Sequence, residues 1–118
     1  NREGNFVSPN VKSFQAAAAG ADWENSPGFY VVLTDQPGAD TWPISGASFI
    51  LMHRQQDNPE IGKAVLGFFD WAYRNVAEQA IELDYVPIPE SVYAIVQRHW
   101  AKTVTGPDGA PLWNGGGK

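Results

Sequence analysis

The sequence predicts an α/β chain in which a few strands are covered by helices, and three features carry that prediction. Phe49-Ile50-Leu51-Met52 is a continuous apolar run bounded by polar residues, the pattern of a strand covered on both faces. Phe29-Tyr-Val-Val-Leu33 is a second β-branched and aromatic run. Between Asn58 and Asn75 the apolar residues recur at helical spacing.

The first residues, Asn1 to Val7, are polar apart from Phe6-Val7 and predict a short strand or an extended arm. Ser8-Pro9 reads as a helix cap followed by the first helical residue. Val11, Phe14, Ala17 and Ala18 give that helix its apolar edge, and Gly20 ends it. Its four consecutive alanines predict close approach to a neighbour. Asp22 to Gly28 is turn chemistry, as is Asp35 to Asp40, and the two flank the Phe29–Leu33 run. Gly46 marks a bend ahead of the central strand, where a protein that rocks two lobes would hinge.

His53 to Gln56 ends the strand, and the next helix start is strongly marked. Asn58 is an N-cap, Pro59 suits the first helical position because its missing N–H would be unpaired anyway, and Glu60 favours the positive end of the helix dipole. Ile61, Val65, Phe68, Phe69, Ala72 and Val76 form a stripe broad enough to cover a sheet face. Gly62 and Gly67 weaken the helix but permit close approach. Val76 to Leu83 is helical again, as a continuation past a kink or as a new helix after a break. Pro87 and Pro89 exclude a regular helix over Tyr85–Pro89. Glu90 to Lys102 resumes helical spacing, with Lys102 at the negative end. The remainder predicts a turn at Gly106-Pro-Asp-Gly109, a docked Leu112 with Trp113, and a loose Gly115-Gly-Gly-Lys118 tail.

Composition narrows the function classes. A length of 118 residues with 43% hydrophobic and 13% aromatic content fits one soluble domain that buries roughly two-thirds of its unfolded surface. Eight basic against thirteen acidic residues, a net charge of −5, argue against non-specific binding to nucleic acid or to anionic membrane. No apolar run approaches the roughly 20 residues that cross a bilayer. The absence of cysteine removes disulfides, thiolate chemistry and cysteine zinc sites. The chain opens at Asn1-Arg-Glu-Gly without a targeting signal, as a processed or truncated chain does.

No catalytic residue and no metal ligand emerges. His53 and His99 have no spacing that places two ligands on one helical face, and they read as a strand end and a helix edge. There is no G-x-S-x-G elbow. Glu82 and Asp84, two apart, point away from each other and read as a solvated helix end. The Gly115–Lys118 stretch has Leu112 where a phosphate loop needs its earlier glycine, and no Ser or Thr follows. The five tryptophans are for the most part packing residues. Of three candidate helix N-termini for an anion, at Ser8, Asn58 and Pro89, the second carries Asp57 and Glu60 and the third Glu90, so only the Ser8 end is electrostatically permissive. Ordinary capping explains it better.

Thr41 to Asn75, together with Ala16-Ala-Ala-Ala-Gly-Ala-Asp-Trp23 and Leu83-Asp-Tyr-Val-Pro-Ile-Pro-Glu-Ser-Val92, resembles the C-terminal part of the periplasmic phosphate-binding proteins of bacterial phosphate ABC transporters. The match runs from about Ser8 to Leu112 and rests on Trp42-Pro-Ile44, Phe49-Ile-Leu-Met-His53, Phe68-Phe-Asp-Trp-Ala-Tyr73, Leu83-Asp-Tyr85 and a late Gly/Pro-rich segment ending in Leu112. The resemblance implies a type II periplasmic-binding-protein fold, two α/β lobes closing on a dehydrated phosphate held by backbone N–H groups, hydroxyls, an Arg and an Asp. Those ligands come from the N-terminal lobe and from an Arg…Ser-Gly-Thr stretch that this chain lacks. Ser45-Gly46 is followed by Ala47-Ser48, so no phosphate ligand is carried over, and Arg2, Arg54, Arg74 and Arg98 receive no family role.

The resemblance therefore implies a C-terminal fragment with a structural part in a non-enzymatic protein. Residues 1–40 would end the second lobe, 41–48 form the interlobe connection, and 49–118 complete the first lobe. It implies inorganic phosphate as ligand of the full-length protein, a membrane ABC permease as partner, a periplasmic location, no cofactor, no nucleic acid, and self-association of the isolated fragment through exposed edges and apolar faces. The alternatives are a related binding or adhesion protein with a different ligand, a stand-alone small interaction domain, and an enzyme with an unrecognised site.

Overall fold

The best-defined element is the helix whose start the sequence marks most clearly. In the computed structural model, which describes residues 1–115, Asn58 accepts hydrogen bonds through its side chain from the N–H groups of Glu60 and Ile61, at 3.1 and 3.2 Å, and caps the helix Pro59–Asn75. Four α-helices follow one another along the described chain: α1 (Val11–Gly20), α2 (Pro59–Asn75), α3 (Ala77–Glu82) and α4 (Glu90–Thr103), with a short 3-10 turn at Pro27–Phe29.

The first helix begins two residues later than Ser8-Pro9 predicts. Asn10 is the cap: its side chain accepts from the Ser13 N–H at 3.1 Å, and its own N–H donates to Ser13 Oγ at 3.0 Å. Ser13 Oγ in turn donates to the Ser8 carbonyl, so Ser8 serves the capping turn from outside it. The alanine run packs as expected, with Ala17 and Ala18 buried. After α2, Val76 adopts φ −112° and ψ 23°, and α3 is a separate helix after that break. Asp84, at φ 61°, closes α3 in the left-handed region.

The α/β expectation is overturned: among the described residues there is no sheet. Two isolated bridges, Gln55 with Thr105 and Thr105 with Pro111, are the whole of the β-pairing. A strand requires a neighbouring ladder to take its N–H and C=O groups, and neither predicted run finds one. Phe29 closes the 3-10 turn at φ 60°, and burial alternates from it to Leu33. Leu33 is buried and Phe29 and Val31 half-buried, whereas Tyr30 and Val32 are exposed, but no ladder bonds form. Phe49, Ile50 and Leu51 belong to an irregular segment and are exposed, Leu51 at 93%. The bend before that segment falls at Pro43-Ile44 rather than at Gly46. It is fixed by hydrogen bonds from the Asp35 N–H to the Pro43 carbonyl (2.9 Å) and from the Trp42 N–H to the Ser13 carbonyl (3.1 Å).

Helix α4 is the spine. It contributes Tyr93 and Trp100 to one core cluster, with Leu66, Val104, Leu112 and Trp113. It contributes Val92 to a second, with Ala18, Ala21, Trp23 and Leu33. The indole N–H of Trp23 donates to the Ala18 carbonyl at 2.7 Å and fixes the loop after α1 onto that second cluster. The turn at Gly106–Gly109 and the docking of Leu112 and Trp113 agree with the sequence reading. Beyond Gly115, the predicted tail lies outside the described residues.

Helix α2 buries only part of the stripe predicted for it, and its most buried residues lie beside that stripe. Gly62, Leu66 and Asp70 are buried, flanked by half-buried Phe69 and Tyr73. Of the predicted stripe, Val65, Phe69, Ala72 and Val76 are half-buried, whereas Ile61 and Phe68 are exposed at 60% and 59%, beside Trp71. The helix carries two apolar faces, and α4 takes the one on which Asp70 can also find partners.

Gly62 and Gly67 make opposite predictions on this one helix. A Cβ at Gly62 would stand 2.8 Å from Leu112 Cδ1 and 2.9 Å from Gln56 Cγ, whereas one at Gly67 meets nothing within 4 Å. Alanine gains about 1 kcal/mol of helix propensity at either site, but overpacking at Gly62 costs about 1–3 kcal/mol. Urea denaturation should therefore show Gly67→Ala stabilised by up to about 1 kcal/mol and Gly62→Ala destabilised.

Candidate functional site

Two arrangements of polar residues lie around α4. The first joins it to α2. Asp70 is 8% exposed, and its Oδ1 accepts from the Tyr93 hydroxyl in a short hydrogen bond, from Gln97 Nε2 at 3.0 Å and from Arg74 Nε at 3.1 Å. The spacing explains the convergence: Asp70 and Arg74, like Tyr93 and Gln97, are four residues apart and share one helix face. Burial works against the Asp70 charge, but Tyr93, Arg74 and Gln97 together hold its carboxyl below the ordinary value. Burial and the carboxylate push the Tyr93 hydroxyl up to about 12. Arg74 also lies over the Tyr93 ring, 5.8 Å from its centroid. Every member is partnered within the protein, so this network is a clasp between helices.

The second arrangement lies on the opposite side of α4. A cleft of about 440 Å³ runs between the loop from Trp23 to Phe29, the side chain of Arg54 and the helix residues Arg98, His99 and Lys102. Glu24 at its rim is paired with Arg98. Next to it an apolar cavity of about 240 Å³ lies between residues 47–54 and the Phe69, Tyr73 and Trp100 side chains, with His99 and Arg54 on the shared wall. Ser48, His53 and Thr103 also line this cavity, and the Thr103 hydroxyl donates to the His99 carbonyl at 2.7 Å.

The residues weighed in the sequence are dispersed. His53 is exposed, and His99 sits half-buried against the edge of Phe29, with ring centroids 4.5 Å apart. No group of three His, Cys, Asp or Glu residues able to hold a metal ion occurs among the described residues. Arg2 pairs with Asp35, Arg74 with Asp70 and Arg98 with Glu24. Trp23, Trp100 and Trp113 are buried and Trp42 packs on Phe14, whereas Trp71 is 53% exposed beside Phe68. The N-terminus of α1, read as permissive for an anion, has its Ser13 N–H taken by Asn10. The convergence of Arg54 on His99 and Lys102 escaped sequence reading. His99 and Lys102 are visibly one helical turn apart, but Arg54 arrives from a segment 45 positions away.

The comparisons with known proteins bear on what this helical unit belongs to. No family model matches the chain. The phosphate-binding protein PstS of Pasteurella multocida is 49% identical over 113 residues, which is 96% of this chain and 33% of that relative. The PstS of Haemophilus influenzae is 48% identical over 100 residues, 85% of this chain and 30% of the relative. Along most of its own length this chain matches part of the PstS phosphate-binding proteins. A Xylella fastidiosa PstS extends the match at 42% identity over 86% of this chain. The chain spans about a third of the length of the curated relatives it matches. Their names make those relatives binding proteins, which fits a chain whose polar clusters are clasps and clefts.

Proposed function

We propose that this chain is the C-terminal portion of a solute-binding protein that captures inorganic phosphate in the periplasm for import by a membrane ABC permease, and that its own contribution is structural and not enzymatic. In that protein residues 1–40 end the second lobe, 41–48 connect the lobes and 49–118 complete the first. The observation that carries the reading is 49% identity to a PstS protein across 96% of this chain. The surface supports it. The accessible area is 8020 Å², against about 6,300 Å² for a folded monomer of this mass. The radius of gyration is 15.8 Å, against about 13.5 Å for a compact domain of this length. Much of the excess is apolar: Ile44, Leu51, Ile61, Phe68 and Trp71 are each more than half exposed. Ile61, Phe68 and Trp71 lie at helical spacing along one side of α2, and an exposed apolar face of that kind is a packing face for other protein that in isolation favours self-association.

The test uses a PstS-length protein carrying this segment. Equilibrium dialysis should show inorganic phosphate bound in preference to sulfate. Phe68→Glu in that protein should lower the melting temperature by several degrees, as a charge placed in a packed face does, while the same change in the 118-residue chain alone should cost less than about 0.5 kcal/mol. Absence of phosphate binding, or an equal effect of Phe68→Glu in both chains, would overturn the reading.

A further inference from the structure

In a chain of net charge −5, one cleft gathers Arg54, Arg98, His99 and Lys102. Glu24 at its rim is engaged by Arg98, whereas Arg54 and Lys102 have no ion-pair partner among the described residues. His99 lines the same cleft. Burial, and then the charges of Arg54 and Lys102, hold its imidazole below the ordinary histidine value. Lining the cleft with His99 are Lys102 and Arg98 from α4, Arg54 from the preceding irregular segment, and Glu24 and the Phe29 edge from the loop before it, and His53 and Tyr73 share the neighbouring apolar cavity with it. Two unpaired cations held together at the wall of a cleft focus positive potential there and favour an anion.

We propose that this cleft binds a phosphate dianion, with Arg54 and Lys102 as its cationic contacts and His99 as a donor. Charge matching selects a dianion, since a monoanion would leave one of the two cations uncompensated. Arginine adds a planar fork suited to phosphate oxygens. Free phosphate and a phosphomonoester share this chemistry, and Phe29 offers the latter an apolar wall. The site is separate from the phosphate capture proposed above, which needs ligands outside this chain, and its readout is local to His99.

The experiment is an NMR titration of the His99 ring in this chain, with inorganic phosphate or phenyl phosphate against sodium chloride at matched ionic strength. An anion that favours the imidazolium raises the pH at which His99 titrates. The rise expected at saturation is about 0.5, equivalent to about threefold tighter binding to the protonated form. Arg54→Ala and Lys102→Ala, both at exposed positions, should each weaken binding by about tenfold. Lys12→Ala, at another cation without an ion-pair partner among the described residues, should leave it unchanged. Tighter binding of phenyl phosphate would assign the site to a phosphomonoester, and equal binding to free phosphate. A rise reproduced by chloride, or one that survives both alanine substitutions, would overturn the proposal.

Discussion

Trp100→Ala should destabilise the chain by about 3–5 kcal/mol, the range for truncating a large aromatic side chain in a core. Trp100 is 9% exposed and stands at the junction of three other rings. Trp113 meets it edge-on at 5.2 Å between centroids, Tyr73 lies at 6.3 Å and Tyr93 at 6.5 Å. Those geometries are favourable for aromatic pairs and add to the area buried. The site cannot collapse around an alanine. Val104 and Leu112 are held by the hydrogen bond from the Leu112 N–H to the Val104 carbonyl at 3.0 Å, and an apolar cavity of about 240 Å³ already borders Trp100. Deleting the indole would enlarge that void, and the cost of such a substitution grows with residual cavity volume. Since domains are stable by only about 5–15 kcal/mol, most of the folded population should be lost by moderate urea concentrations. Trp100→Phe keeps a ring and should cost clearly less. Equal urea midpoints for Trp100→Ala and the parent chain would show that this cluster does not hold the fold.

The sequence made the helices legible and the tertiary arrangement only partly so. Asn58, Pro59 and Glu60 announce α2 because capping is decided by neighbouring residues, and the same holds for the break at Pro87 and Pro89 before α4. Strands are different. Phe49 to Met52 is apolar enough for a buried strand, but pairing is non-local, and the described chain supplies no ladder to receive it. The face of α2 was also undetermined locally, since Ile61 and Phe68 are as apolar as Leu66 and Phe69. What decided it was the fit of Asp70 and Gly62 to α4 and the Leu112 segment, information spread over 50 residues. The anion cleft shows the same limit. The i, i+3 pair His99 and Lys102 could be read from α4, but the approach of Arg54 could not.

Asp70→Ala should cost about 2–3 kcal/mol, because it strips the acceptor from a buried tyrosine hydroxyl and a glutamine amide together. Arg74 adds little to that figure, since its side chain is 53% exposed and solvent screens the pair. Tyr93→Phe should cost about 1–2 kcal/mol, and the double variant less than the sum, as expected of residues sharing one network. The charge of Asp70 gives the clasp a pH signature. Its native carboxyl titrates below the ordinary value, so the unfolded chain binds this proton more readily than the native one. The stabilisation is then complete above the unfolded carboxylate value of about 3.9 and is lost as the pH falls through the lower native value. Asp70→Asn removes the titration while keeping the side-chain shape. The stability gap between parent and Asp70→Asn, measured by urea unfolding from pH 7 downward, should stay constant to about pH 5 and narrow below about pH 4. A gap that stays flat would mean that the native and unfolded carboxyls titrate together, and a gap that widens as the pH falls would mean that Asp70 is held neutral in the native chain.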